Sequence, residues 1–311
     1  MRHNPKVCVV GAGAMGSYYA AKFFDRDPES VFLLAGGERF DRLKRHGLVV
    51  NDTHYPCAVR GPEESGEPAD LVLVTVKYQH LPQAAREMAG VVGENTLVLS
   101  AMNGIDSEEI LAGHFGWGRV LYGVALGIDA QRSENRVNYT KEGVLYWGRA
   151  DNAEPEPEVE ELRKLLDAVD IPNEVPRDML RVLWWKYMIN CGANQVSAML
   201  KVPYGALQRI EESRLLMESA MAEVVDLAAA LGVDLRREDM DTWYSVLDSL
   251  SPEGRTSMCQ DIEAGRKTEV EMFAGKVLEL AGERGLGVPA NRFLFQAVRS
   301  LEKWAETGPG G

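Results

Sequence analysis

Residues 6–24 read KVCVVGAGAMGSYYAAKFF, and this stretch decides the fold. The apolar, β-rich run from Lys6 to Val10 predicts a strand, and it passes directly into Gly11-Ala12-Gly13-Ala14-Met15-Gly16. Beyond it Met15, Tyr19 and Phe23 recur at helical spacing. Strand, glycine turn and helix in that order form a dinucleotide-binding fingerprint, in which each glycine has a physical reason. Gly11 permits the tight turn, Gly13 leaves the backbone open to a pyrophosphate, and Gly16 lets the helix pack close to the sheet. The N–H groups and dipole at the helix start then favour the phosphate charge. Gly11, Ala12, Gly13, Ala14, Met15 and Gly16 are therefore the candidate cofactor-binding turn.

Outward from this turn, β-rich runs at 6–10, 31–35, 70–76, 96–100 and 120–125 alternate with helical segments. That alternation predicts a parallel sheet with helices on both faces. Between 127 and 148 three short runs, GIDAQ, RVNYT and GVLYWG, predict antiparallel strands at one edge, and the helix PEVEELRKLLDAV follows. From 177 the pattern is helical throughout, including one segment running from Ser257 to Arg284. The expected architecture is an α/β Rossmann-type dinucleotide-binding domain over 1–176 and an all-α substrate and dimerisation domain over 177–311. An active site is expected in the cleft between them. The tail TGPGG is expected to be disordered.

Composition narrows the function classes. A formal net charge of -13 over 311 residues argues against nucleic acid or an anionic membrane as partner. No apolar run is long enough to span a bilayer, and the N-terminus carries no secretory pattern, so a cytoplasmic protein is expected. Cys8, Cys57, Cys191 and Cys259 lie far apart and read as reduced, mostly buried thiols. The five histidines show no metal-ligand spacing, and no metal is expected.

The chemistry lies in polar residues that interrupt apolar segments. Lys77 closes the run DLVLVTVK, and Asn103 follows TLVLSAM, both at the sheet edge where such folds bind ligands. Lys77 is equally readable as a solvated strand end. In LWWKYMINCGANQ, Lys186, Asn190 and Asn194 stand at i, i+4 and i+8. On a regular helix they drift only about 80° around the axis and form one polar stripe. The stripe is either the wet face of an amphipathic helix or a set of groups facing a cleft. A desolvated lysine there has a depressed pKa and can donate a proton near neutral pH. Ser257 and Glu269 are twelve residues apart and fall on different helix faces unless the chain bends near Gly265. Asn291, in VPAN, reads as a structural N-cap.

Taken in order, GAGAMG, VTVKYQ, MNGID, WWKYMINCGANQVSA, SMCQDIEAGRKTEVEMFAG and VPAN resemble the ketopantoate reductase (2-dehydropantoate 2-reductase) family across nearly the whole chain. The resemblance implies NADP(H)-dependent reduction of 2-dehydropantoate to pantoate, a step of pantothenate biosynthesis. It implies that Lys186 donates a proton to the ketone oxygen and that Asn190, Asn194, Ser257 and Glu269 bind substrate. Lys77 and Asn103 are implied where cofactor meets substrate. A carboxylate at Glu269 suits a substrate hydroxyl, which ketopantoate carries at its 4-position. The run LLAGGER departs from the family pattern, because Gly36 stands where an arginine commonly holds the 2′-phosphate. Arg39 is the nearby substitute, Glu38 can instead accept a ribose hydroxyl, and NAD(H) remains possible, so a weakened preference for NADPH is expected. Gly254 stands where relatives often carry asparagine, which hints at a related 2-oxo acid as substrate. The alternatives are another 2-oxo acid reductase on this scaffold and a non-catalytic NAD(P)-binding redox sensor. A homodimer is possible.

Overall fold

A computed structural model describes residues 4–64, 66–133 and 136–307. The expected disorder of the tail falls mainly on 308–311, outside the described residues. The chain divides into two compact units, Met1–Leu183 and Trp184–Gly311.

The first unit is built on an eight-stranded sheet. Its strands are β1 (Val7–Val10), β2 (Val31–Leu34), β5 (Ala58–Arg60), β6 (Ala69–Val74), β7 (Val92–Ser100), β8 (Val120–Leu126), β11 (Val144–Gly148) and β12 (Asn173–Glu174). Their order is β12-β11-β8-β7-β6-β1-β2-β5. From β7 through β5 every pairing is parallel, whereas β11 runs antiparallel to β8. β1 and β2 are buried at every residue, which is why both read as unbroken apolar runs. Helices α1 (Ala14–Arg26), α2 (Gly37–His46), α3 (Leu81–Glu87), α4 (Ser107–Phe115) and α5 (Pro157–Asp167) complete the alternation. The chain leaves β1 for β2 on one side and then crosses to β6 on the other, so the strand order reverses at the glycine turn.

One expectation needs correction. Of the three short runs between 127 and 148, only GVLYWG joins the main sheet, as β11. The other two supply β9 (Gln131–Ser133) and β10 (Arg136–Asn138) to a separate four-stranded sheet, ordered β4-β3-β10-β9. Its partners β3 (Leu48–Val50) and β4 (Thr53–Tyr55) form a hairpin whose turn residues Asn51 and Asp52 have φ of 44° and 61°. Both values suit a tight two-residue turn that matches strand twist. Asn51 then receives the hairpin's partner strand: its N–H donates to the Val137 carbonyl (2.9 Å), and its Oδ1 accepts from the Tyr139 N–H (2.9 Å).

The second unit is helical. α6 (Met179–Ile189) contains the division point, and α7 (Gln195–Leu200), α8 (Tyr204–Arg209), α9 (Glu211–Ala230), α10 (Asp239–Ser249), α11 (Ser257–Glu263), α12 (Lys276–Arg284) and α13 (Pro289–Thr307) follow. The predicted single segment from Ser257 to Arg284 is broken. α11 stops at Glu263, Gly265 takes φ +65°, and helical structure resumes at Glu271. Residues Asn190–Asn194 and Glu271–Gly275 are π-helical turns, which regular helical spacing did not anticipate.

Candidate active site

In the first unit the glycine turn has the geometry its sequence calls for. Gly11 sits at φ +104°, where a side chain is strained. A Cβ on Gly16 would lie 2.0 Å from the Gly11 carbonyl oxygen and 2.5 Å from Thr75 Oγ1, so α1 packs there only as glycine. A Cβ on Gly13 would meet nothing within 4 Å, so the turn leaves open space beside the backbone. Gly13 caps α1 without any side-chain hydrogen bond, and Ala14 and Met15 open its first turn. These features fit a dinucleotide. Thr75, which sequence reasoning missed, ties the turn to the neighbouring strand end: its Oγ1 donates to the Gly11 carbonyl at 2.7 Å.

Lys77 and Asn103 both lie beyond the carboxyl ends of adjacent parallel strands, β6 and β7. The strand expected to end at Lys77 stops at Val74, and Lys77 is an exposed residue preceding a short 3₁₀ turn. Asn103 is half-buried, followed by Gly104 at φ +94°. Behind this loop Glu108 is 1% exposed on the first turn of α4. Burial pushes its carboxyl up to about 7, with Ser107 and the Gly123 N–H opposing and Asp106 adding to the rise.

The second unit holds the other residues. Lys186, on the last turn of α6, is half-buried, and desolvation holds its ammonium below the ordinary lysine range. No ion pair or hydrogen bond holds its Nζ among the described residues. Asn190 is 1% exposed; its Oδ1 accepts from Asn194 Nδ2 at 3.1 Å, and its own Nδ2 has no partner among the described residues. A buried amide with an unmet donor is costly unless a ligand meets it. The two asparagines are thus adjacent, but on a π turn rather than the regular helix assumed from spacing.

α11, which begins with exposed Ser257, packs against this turn and α7. Thr256 caps α11, its Oγ1 accepting from the Cys259 N–H at 3.1 Å. The bend anticipated near Gly265 occurs, and half-buried Glu269 follows it. Its neighbour Thr268 anchors the bend by donating through N–H and Oγ1 to buried Glu302, both at 2.7 Å.

Sequence reasoning missed the buried polar network behind these residues. Gln195, fully buried, donates to the Cys191 carbonyl at 2.6 Å and accepts from the Ala274 N–H at 3.1 Å. One side chain thereby joins the two π turns. Asn291 is not an N-cap. It lies inside α13, fully buried, and its Nδ2 donates to the Ala220 carbonyl and to Glu223. Glu223 does the capping, accepting from the N–H groups of Ala290 and Asn291 at 2.7 and 2.9 Å.

The sequence profile described as Ketopantoate reductase PanE/ApbA matches residues 7–152, and its C-terminal counterpart matches 178–302. The chain belongs to the ketopantoate reductase family. Family membership makes it an oxidoreductase. A curated 2-dehydropantoate 2-reductase of Archaeoglobus fulgidus is 28% identical, over 96% of this chain and 98% of its own. That of Halobacterium salinarum is 27% identical over 96% and 99%. A solved ketopantoate reductase from Ralstonia eutropha aligns with TM-score 0.85 at 26% identity, covering 97% of this chain and 99% of its own. The structure of D-mandelate dehydrogenase with NADH and anilino(oxo)acetate shares the fold, with TM-score 0.86 at 21% identity, covering 97% and 100%.

Among the described residues no group of His, Cys, Asp and Glu is placed to hold a metal ion, and no helix is long and apolar enough to cross a membrane. The four cysteines are buried and free.

Proposed function

We propose that the protein reduces 2-dehydropantoate to pantoate with NADP(H), and that Lys186 supplies the proton. The reading is carried by a half-buried lysine, held below its ordinary range by desolvation, one turn from a buried asparagine with an unmet donor. Family membership adds the substrate, through the activity named for its relatives. A nucleotide held by the glycine turn would supply the hydride for the substrate's carbonyl carbon. As alkoxide charge develops on the oxygen, the Lys186 ammonium stabilises it and then gives up a proton. A depressed pKa makes that release easier. The unmet Asn190 Nδ2 and the Asn194 amide orient the substrate, and Ser257 and Glu269 complete the set, with Glu269 accepting from a substrate hydroxyl. Gly11 through Gly16, with Lys77 and Asn103, hold the nucleotide.

Lys186→Ala tests the assignment. Turnover with ketopantoate should fall by about 10²- to 10⁴-fold while nucleotide still binds. Near-normal kcat in that variant would end the proton-donor assignment. A related 2-oxo acid is favoured by one observation. A Cβ on Gly254 would stand 3.0 Å from the Tyr204 ring, so this position offers no side chain to the substrate and little room for one. Assaying a panel of 2-oxo acids separates the two.

A further inference from the structure

One peptide group in the second unit is gripped from both sides. In the π turn Glu271–Gly275 the backbone register slips by one residue. The Glu269 carbonyl accepts from the Phe273 N–H at 3.0 Å, four residues on. The Val270 carbonyl accepts from the Gly275 N–H at 3.0 Å, five residues on. The Ala274 N–H is the donor that this slip leaves over. Gln195 takes it through Oε1, at 3.1 Å. The other side of the same peptide group, the Phe273 carbonyl, accepts from the Tyr187 hydroxyl at 2.7 Å. Tyr187 follows Lys186 in the chain, Gln195 follows Asn194, and both are buried. The stretch that carries Lys186, Asn190 and Asn194 therefore holds the turn that Glu269 leads into.

Both ends of this grip are anchored. Gln195 Nε2 donates to the Cys191 carbonyl at 2.6 Å and to Asn291 Oδ1 at 3.3 Å, which fixes the orientation of the amide. Asn291 is held in turn by the Ala220 carbonyl and Glu223. At the start of the turn, Thr268 Oγ1 accepts from the Val270 N–H at 3.2 Å and donates to Glu302 at 2.7 Å. A satisfied buried network of this kind specifies one arrangement, and losing one member strands the others. Without Gln195, the Ala274 N–H regains a partner most simply from the Val270 carbonyl, in α register. That change alters the direction in which the chain enters the turn, and Glu269 stands at that entry.

We propose that Gln195 and Tyr187 are positioning residues that lock Glu269 to the turn bearing Asn190 and Asn194, so that selection for a substrate hydroxyl depends on both. This rests on the substrate reading above, in which Glu269 accepts from that hydroxyl.

The test is the ratio of kcat/KM for ketopantoate to kcat/KM for 3,3-dimethyl-2-oxobutanoate, which lacks the 4-hydroxyl. Tyr187→Phe removes one hydroxyl and keeps the ring. Gln195→Met keeps the length and removes the amide. Each should lower the ratio about five- to tenfold and leave NADPH affinity, read by fluorescence titration, unchanged. In a Glu269→Ala background neither should lower the ratio further, because both act through Glu269. Should Gln195→Met fail to fold, Tyr187→Phe carries the same test. Equal losses on both substrates would overturn the proposal and leave the two residues as packing alone. Further loss of selectivity in the Glu269→Ala background would also overturn it. A wild type that selects ketopantoate through Glu269, with both variants keeping the full ratio, would overturn the proposal and leave the substrate reading standing. A wild type indifferent to the 4-hydroxyl would remove the reading of Glu269, and the proposal with it.

Discussion

Replacing Glu108 by Gln should flatten part of the pH dependence of stability. The side chain is 1% exposed, and its carboxyl is pushed from 4.5 to about 7, chiefly by desolvation. Because the folded pKa lies above the unfolded one, the folded state holds the proton longer. Stability from this group is fully present below about 4.5 and is lost as pH rises through about 7. At about 1.4 kcal/mol per pH unit, the whole loss amounts to about 3 kcal/mol, of which about 2 falls between roughly pH 5.5 and 8.5. Glutamine keeps the shape and carries no charge, so it escapes the loss. Urea denaturation of both proteins at half-unit pH steps gives the difference directly, with other titrating groups cancelling between them. The stability of Glu108→Gln relative to wild type should climb by about 2 kcal/mol across that range. A difference that stays flat to within about 0.5 kcal/mol would show that the folded protein hydrates this carboxylate, and that the buried geometry behind Asn103 is wrong.

The remaining predictions are smaller in scope. Removing the uncompensated ammonium in Lys186→Met should raise Tm below the depressed lysine pKa even as turnover collapses, and wild-type reductive kcat should fall with rising pH at a value below the ordinary lysine range. Gly16→Ala forces a Cβ to within 2.0 Å of the Gly11 carbonyl, so thermal melts should show a loss of about 1–3 kcal/mol or more, and nucleotide affinity should drop. Gly192→Ala meets Met221 Cγ at 2.4 Å, and a second change, Met221→Ala, should recover part of the roughly 1–3 kcal/mol lost, giving a non-additive cycle in denaturation. Glu269→Ala should reduce discrimination between ketopantoate and an analogue lacking the 4-hydroxyl by about 1.5–3 kcal/mol in relative kcat/KM, whereas equal losses on both substrates would assign Glu269 to bracing the bend.

The main sheet and the glycine turn were legible because their determinants are local. β1 and β2 are buried at every residue and so read as unbroken apolar runs, and Gly11 and Gly16 answer to contacts within a few residues or one strand away. The small sheet was not legible. Its strands are only three residues long, too short for the alternation in β3 and β10 to stand out, and β9 is exposed throughout. Its pairing of β10 with β3 joins segments more than eighty residues apart. At the polar helix, spacing singled out Lys186, Asn190 and Asn194 but assumed 3.6 residues per turn, and the π geometry depends on partners such as Gln195 and Met221 that spacing does not contain. Asn291 misled because asparagine after proline matches a cap, while the group that caps α13, Glu223, lies sixty-eight residues away.

The π turn at Asn190–Asn194 makes chain length, and not only residue identity, part of the site. Relative to an α-helix, such a turn holds one surplus residue. Deleting Cys191, Gly192 or Ala193 would allow a regular helix, and because four α-helical residues sweep nearly the same angle as a five-residue π turn, the chain from Gln195 onward would keep its direction while the residues inside the turn changed face. Lys186, Asn190 and Asn194 would survive such a deletion, but Asn194 would stand at i+3 rather than i+4 from Asn190, and the hydrogen bond between their amides would be lost or remade. The length of this segment therefore sets the spacing of the two asparagines as firmly as their identity does. Chimeras spliced from relatives here must match residue count before they match residue type.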